Sequence, residues 1–398
     1  MSFTEWWSNG LLDLSIPALI AVCVITTHIT VVAVTLYLHR CSSHRALWLH
    51  PAVSHFFRMW LWLGTGMNTK EWTAIHRKHH ADCETEEDPH SPVQQGLSKI
   101  LWDQAGAYRV AATKPEIIER YGAGTPDDWM ERNVYSLGSL GVVITLVLNL
   151  ALFGIIGLTV WAIQMMWVPV VGGIINGIGH WWGYRNYECP DAARNIVPWG
   201  IIIGGEELHN NHHTYANSAK LSSKPWEFDI GWMYIRILGW FGLARPLATG
   251  PVAVQGEQRP LDKDTAIALI NDRFDVMARY AREVIAPVVA EQRAAASGAS
   301  KSAMKRAQKL LRREDSLLDD SARARLQDLV QVPELKTVYE FRMRLQSIWE
   351  QRAGDMETVV QSLREWCAEA EASGHKVLAD FVEELKCYTM PQMKPQTA

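Results

Sequence analysis

From Asn133 to Tyr184 the chain runs for 52 residues without an Asp, Glu, Lys or Arg. A helix crosses ~30 Å of hydrocarbon in roughly 20 residues at 1.5 Å each, so this stretch is too long for one crossing. Two helices of about 20 to 25 residues joined by a tight turn fit it, with Gly154 to Gly157 as the natural place for the turn. A second run, Ile16 to Leu38, has 23 residues and no formal charge. A cleaved signal peptide needs a basic segment ahead of its apolar core, and no Lys or Arg precedes Arg40, so a transmembrane helix is expected here instead. Arg40 and Arg45 follow the run, which by the positive-inside rule puts the N-terminus outside and His39 at the cytoplasmic surface.

The rest of the chain is patterned for water. Beyond Asp262 charges recur every few residues, and Ile267, Ile270, Phe274, Met277 and Ala281 follow one another at helical spacing, as do stripes through Leu326 to Trp349 and Val359 to Leu385. The expected fold class is therefore all-α, with about three membrane spans plus interfacial helices in residues 1–260 and a soluble helical appendage in residues 261–398. Ala294 to Ser302 is the expected flexible joint within that appendage. Ile196 to Ile203 and Ile230 to Leu243 carry the Trp and Arg of segments lying along an interface, although buried helices of a soluble cap fit them equally. A net charge of -4 excludes nucleic-acid binding driven by a global basic excess. Six scattered cysteines with no C-x-x-C pair argue against a disulfide framework or a thiolate-held metal.

Histidine carries the chemistry. Of 14 His, 13 precede residue 241, and eight fall into three clusters: His39-Arg-Cys-Ser-Ser-His44, His76-Arg-Lys-His79-His80 and His209-Asn-Asn-His212-His213. Positions i, i+3 and i+4 share one helical face, so each H-x-x-H-H triplet can aim its imidazoles into one site. A spacing of five does not, so the helix is expected to end or distort between His39 and His44. His180, four residues after Asn176 at the end of the uncharged stretch, is a further candidate because polar groups facing lipid are costly. These nine imidazoles exceed what one ion accepts, and two metals are the economical reading; imidazole alone does not choose among Fe, Zn, Cu and Ni. Glu84, Glu86, Glu87, Asp88, Glu206 and Glu207 lie near the clusters, and some are expected to orient imidazoles through their second ring nitrogen. His28 is expected to be a helix-contact residue, and His50, His55 and His90 surface or supporting groups. If all clusters meet on one side of a membrane, Pro51 to Met67 cannot cross it and must be re-entrant or interfacial.

In these boxes the sequence resembles the membrane-bound fatty acyl desaturases, in particular the delta-9 acyl-CoA desaturase group, marked by H-x-x-x-x-H followed by two H-x-x-H-H boxes. Glu84-Thr-Glu-Glu-Asp-Pro-His90, Gly183-Tyr-Arg-Asn-Tyr187, Gly205-Glu-Glu-Leu-His209 and the Asn176-x-x-x-His180 pattern also resemble the family, over roughly Leu12 to Trp240. The resemblance implies two iron ions (Fe2+) held by His39, His44, His76, His79, His80, His180, His209, His212 and His213, with Asn176 reaching a metal through water and Glu84, Asp88, Glu206 and Glu207 supporting the ligands. It implies an O2-dependent desaturase of a bacterial inner membrane, its site facing the cytoplasm, placing a cis double bond at carbon 9 of a saturated C16 or C18 chain. Trp residues of the first 240 positions could line the acyl tunnel. Neither a cytochrome b5 domain nor a G-x-G-x-x-G fingerprint is present, so electrons are expected from a separate carrier, such as ferredoxin or a cytochrome b5-type protein with an NAD(P)H reductase. Lys99 is the one basic residue between His90 and Tyr108, too few for a bound CoA, which leaves acyl-CoA and phospholipid both open as the acyl carrier. A diiron hydroxylase and a metal transporter are the alternative readings.

Overall fold

The computed structural model describes residues 2–250, 253–314, 317–350 and 356–390. The chain divides into two compact units, one of residues 1–185 and 192–250, the other of 186–191 and 251–398. The break after Gly250 falls earlier than the expected boundary at 260, and the excursion 186–191 groups with the C-terminal unit.

In the first unit, α1 spans Ile16–Ala33 and continues as a π-helical segment, Val34–Ser43. Helices α2 (Pro51–Thr65) and α3 (Thr69–Ala81) follow. The long uncharged stretch forms α4 (Gly138–Phe153) and α5 (Gly157–Gly173), the latter extended by a π-helical turn, Ile174–Ile178. Shorter helices α6 (His209–Thr214) and α7 (Ile230–Trp240) complete the set used below. Among the described residues two helical segments are long and apolar enough to cross a membrane, Ile16–Ser43 and Gly138–Ile178.

The second of these folds back on itself where the sequence suggests. Gly154 ends α4 with φ +65°, a left-handed conformation that glycine adopts without steric cost. Past this turn α5 returns along α4, with Asn149 Nδ2 donating to Gln164 Oε1 at 3.2 Å and Trp161 Nε1 to the Val142 carbonyl at 3.2 Å. The last carbonyls of α4 would otherwise be orphaned in apolar surroundings. Leu11 and Leu12 satisfy them, donating N–H groups to the Ala151 and Leu152 carbonyls at 3.0 Å each. A short N-terminal helix, Phe3–Asn9, closed by a Ser2/Glu5 capping box, therefore sits at the hairpin turn.

At 15 residues, or about 22 Å, α2 is too short to cross. Gly141 of α4 lets it approach closely: a Cβ there would stand 2.3 Å from the Trp62 carbonyl. Thr145 Oγ1 donates to the Leu63 carbonyl at 2.7 Å, and Trp60 Nε1 to Thr30 Oγ1 of α1 at 3.0 Å. Alongside α1, helix α7 is joined through Tyr234, whose hydroxyl is 2.7 Å from His28 Nε2, so His28 is a helix-contact residue. The segment around Ile196 to Ile203 is not a helix. It forms a two-residue strand, Trp199–Gly200, parallel to Phe228–Asp229, and leaves Trp199, Ile201 and Ile202 exposed. Trp102, Trp129, Trp181, Trp182 and Trp240 are exposed as well, which removes them from any tunnel lining and suits them to an interface.

The C-terminal unit is built from helices neighbouring in sequence, from Lys263–Asn271 to Lys376–Leu385, with an antiparallel strand pair, Val254–Gln255 and Tyr388–Thr389. Its core centres on fully buried Trp366, whose indole N–H donates to the Phe341 carbonyl at 2.9 Å and whose ring meets Phe341 edge-on at 5.6 Å. Within the range of the expected joint, 294–302, helices Ala286–Ala295 and Gly298–Leu311 are separated by two residues.

Candidate metal centre

The spacing of five in the first box is solved by the π-helical segment. The His44 N–H donates to the His39 carbonyl at 3.0 Å, an i to i+5 bond that brings both positions to one face. Their rings lie 4.7 Å apart. A β-pair, Leu47–Leu49 with Ala244–Pro246, fixes the chain immediately beyond. His180 follows a second π-helical turn, and Gly179 before it has no room for a Cβ, which would stand 2.2 Å from the Ile175 carbonyl and 3.1 Å from His209 Cδ2.

Two groups of four histidines emerge: His39, His44, His76 and His212, and His79, His180, His209 and His213, the ring nitrogens within each group lying within 4.8 Å of one another. Each H-x-x-H-H box contributes to both groups, and His80 stands between them, forming a set with His212 and His213. Nε2 atoms face each other closely: His39 and His212 at 3.0 Å, His44 and His76 at 2.7 Å, His80 and His212 at 2.9 Å, His180 and His209 at 3.0 Å.

Carboxylates stand behind several of these rings. His79 Nδ1 is 2.9 Å from Asp88 Oδ1, His180 Nδ1 2.8 Å from Glu84 Oε1, and His39 Nδ1 2.9 Å from Glu206 Oε1. The second Glu206 oxygen is 3.6 Å from His209 Nδ1, so one carboxylate addresses both groups. A proton held on Nδ1 by a carboxylate leaves the Nε2 lone pair directed inward. Burial, reinforced by neighbouring imidazoles, pushes His44, His76, His80, His212 and His213 well below the usual imidazole range, which keeps them neutral. Burial alone would raise the Asp88 and Glu206 carboxyls, but the adjacent His79 and His39 hold them well below the usual carboxylate range. Convergent neutral nitrogens backed by buried anions fit two divalent cations.

The loop after the second box is folded around its acids. Glu84 has φ +64° and donates its N–H to Asp88 Oδ2 at 2.9 Å, while the His90 N–H donates to Asp88 Oδ1 at 3.0 Å and the Ser91 hydroxyl bonds Glu84. Glu207 takes another place: it accepts N–H groups of Ile202 at 2.7 Å and Ile203 at 2.9 Å, shaping the turn before the third box. Lys78 pairs with Glu87. Asn176 lies half-buried in the π-helical turn before His180.

His90 is 4% exposed, its ring 4.4 Å from that of His79, so of its two expected places it takes the supporting one and not the surface. Arg40 is wholly buried, donating to the Gly204 carbonyl at 3.0 Å, the Ala219 carbonyl at 2.9 Å and Asp229 Oδ1 at 2.9 Å; it is not a group that faces lipid headgroups. Sequence reasoning passed over Asn195, Asn211 and Glu227. Asn195 Nδ2 donates to Asn211 Oδ1 at 3.0 Å and Asn211 Nδ2 to Glu227 Oε2 at 2.8 Å, anchoring α6 from behind. Two Asn inside a box of histidines were the available signal.

A family model described as Fatty acid desaturase matches residues 15–227, which contain every residue of both histidine groups. A second, described as Transposase, matches residues 265–390 of the C-terminal unit. Over 224 residues the chain is 30% identical to the sn-1 stearoyl-lipid 9-desaturase of Synechocystis sp., covering 55% of this chain and 68% of that protein. It is 29% identical to the Delta-9 acyl-lipid desaturase 1 of Arabidopsis thaliana, covering 53% and 69%. An acyl-CoA 5-desaturase of Anemone leveillei is also 29% identical, covering 61% and 72%. With more than half its length matched and both histidine groups inside the match, the chain belongs to the fatty acid desaturase family.

Proposed function

We propose that this chain is an O2-dependent acyl-lipid desaturase that holds two irons in its two histidine groups and introduces a cis double bond at carbon 9 of a saturated C16 or C18 chain. The observation that carries the reading is the sorting of the histidines into two four-nitrogen groups, with buried carboxylates behind them. Bound irons would activate O2, the oxidant: overall, two hydrogens leave adjacent methylenes, O2 takes up these with two external electrons and two protons, and two waters form.

The residues prepare this chemistry. His39, His44, His76 and His212 would hold one iron, and His79, His180, His209 and His213 the other, with His80 between them and Asn176 reaching a metal through water. Asp88 and Glu84 keep the Nδ1 protons of His79 and His180 in place, and Glu206 sets its charge 2.9 Å from Nδ1 of His39. The buried setting of the rings excludes bulk water, limiting escape of the oxidant.

Phospholipid is the preferred carrier. Two relatives are named as acyl-lipid 9-desaturases, and Lys99 remains the one basic side chain between His90 and Tyr108, a poor match for the phosphates of CoA. The chain would cross a bacterial inner membrane three times, through α1 and the α4–α5 hairpin, with the metal centre on the cytoplasmic side and electrons delivered by a separate ferredoxin or cytochrome b5-type protein. Membranes containing the protein, given reductant and either labelled stearoyl-CoA or labelled phosphatidylcholine, test the reading. A double bond at carbon 9 of the phospholipid is expected. Conversion of the CoA ester before transfer into lipid overturns the carrier, a double bond elsewhere the position, and a hydroxylated product the reaction.

A further inference from the structure

The two histidine groups differ in what stands behind them. In the group of His79, His180, His209 and His213, three Nδ1 atoms face buried carboxylates: Asp88 at 2.9 Å, Glu84 at 2.8 Å and Glu206 at 3.6 Å. In the group of His39, His44, His76 and His212, the one such contact is His39 to Glu206, at 2.9 Å. Among the described residues no carboxylate lies against the Nδ1 of His44, His76 or His212. Positive charge stands near this group instead. Arg77 bonds to backbone carbonyls of Ser42 at 2.7 Å, Ser43 at 2.9 Å and Ala123 at 2.8 Å, with no carboxylate to neutralise it among the described residues.

A carboxylate on the far nitrogen makes an imidazole a stronger donor and fixes its direction, and losing such a partner costs about 10- to 100-fold in metal affinity. A buried anion also lowers the electrostatic cost of a divalent cation, and an unneutralised guanidinium raises it. Both effects favour the same group. We propose that the two metal positions are inequivalent: the one held by His79, His180, His209 and His213 fills first and empties last, the one held by His39, His44, His76 and His212 is the exchangeable position, and Glu206 is the positioning residue that acts on both.

The inference rests on the two-metal reading of the centre, and release kinetics test the two separately. Full-length protein in detergent is loaded anaerobically with Fe2+ and challenged with excess chelator, and released iron is followed by absorbance. Release is expected in two phases, one iron per chain in each, the slow phase at least about 10-fold slower. Asp88→Asn and Glu84→Gln should accelerate the slow phase and leave the fast one unchanged; Glu206→Gln should accelerate both. Two irons leaving in a single phase, or Asp88→Asn acting on the fast phase, overturns the inequivalence while the two-metal reading stands. Protein that takes up no iron overturns both. The wild-type trace decides the matter even where a variant fails to fold.

Discussion

Arg40 shows how one residue can hold the centre together without touching a metal. Its guanidinium ties the first box to the Gly204 loop, which carries Glu206, and to Asp229, which also accepts the Leu221 N–H at 2.8 Å and the Trp232 N–H at 3.0 Å. Gly205 and Gly231 make the socket: a Cβ on either would come within 2.6 Å of the guanidinium. Removing one partner of a buried pair strands the other charge, at about 3–5 kcal/mol. Arg40→Met should therefore lower stability in detergent by that amount and reduce iron content, and adding Asp229→Asn should recover much of the stability because the stranded charge is gone. Thermal unfolding of the wild type and the two variants checks this; a double variant no better than Arg40→Met would refute it. At this scale the histidines were legible because their spacing repeats, and Glu84, Asp88 and Glu206 because acids flank the boxes. Arg40 was not. Its environment is made by residues far away in the chain, Asp229 standing 189 positions from it.

Elements bring the boxes together through departures from ideal helix. The five-residue spacing of His39 and His44 foretold a distortion, and the π-helical segment supplies it, but which distortion depends on what α1 packs against. The hairpin turn at Gly154 was legible because an uncharged run of that length must fold back; the helix lying against it, Phe3–Asn9, was not. The tight seat of α2 on α4 also escaped the sequence, since Gly141 in an apolar run signals nothing until Trp62 is found beside it. Gly141→Leu forces the helices apart at a backbone contact that cannot give way, and overpacking of this kind costs roughly 1–3 kcal/mol. A lower melting temperature in detergent is expected, with Gly242→Leu as the control, since nothing lies within 4 Å of a Cβ at Gly242. That left-handed site carries its own backbone penalty, so Gly141→Leu must be the worse of the two.

At the scale of the molecule, every histidine and carboxylate of the centre belongs to the first unit, and the C-terminal unit has a core of its own. A chain ending at Pro260 is expected to retain two irons, measured by metal analysis after purification; loss of iron would make the C-terminal unit integral to the centre. The same separation explains what was legible. Charge density divides the chain in sequence, whereas the grouping of 186–191 with the second unit depends on contacts such as the Glu188 N–H to the Phe274 carbonyl at 3.3 Å, which no local pattern announces.

The two ends of α1 carry opposite commitments. Near Ile16 the chain is bound to the hairpin turn through Leu11 and Leu12, while beyond Val34 the helix delivers His39 and His44 to the metal centre. If α1 and both arms of the hairpin cross the membrane, the N-terminal helix and Gly154 share one face, and the boxes, Pro92–Gln95 and Leu97–Trp102 the other. Ser8 and Ser98 are both exposed, so each can report its side once replaced by Cys in a background where the native cysteines are Ser. Ser8→Cys should react with an impermeant thiol reagent added to intact cells stripped of their outer barrier, and Ser98→Cys only after the membrane is opened. Labelling of both from the same side would refute the three-crossing arrangement. Because α3 and α6 meet through His80 and His212, 2.9 Å apart at Nε2, no arrangement that keeps the centre intact can place the second and third boxes on opposite faces.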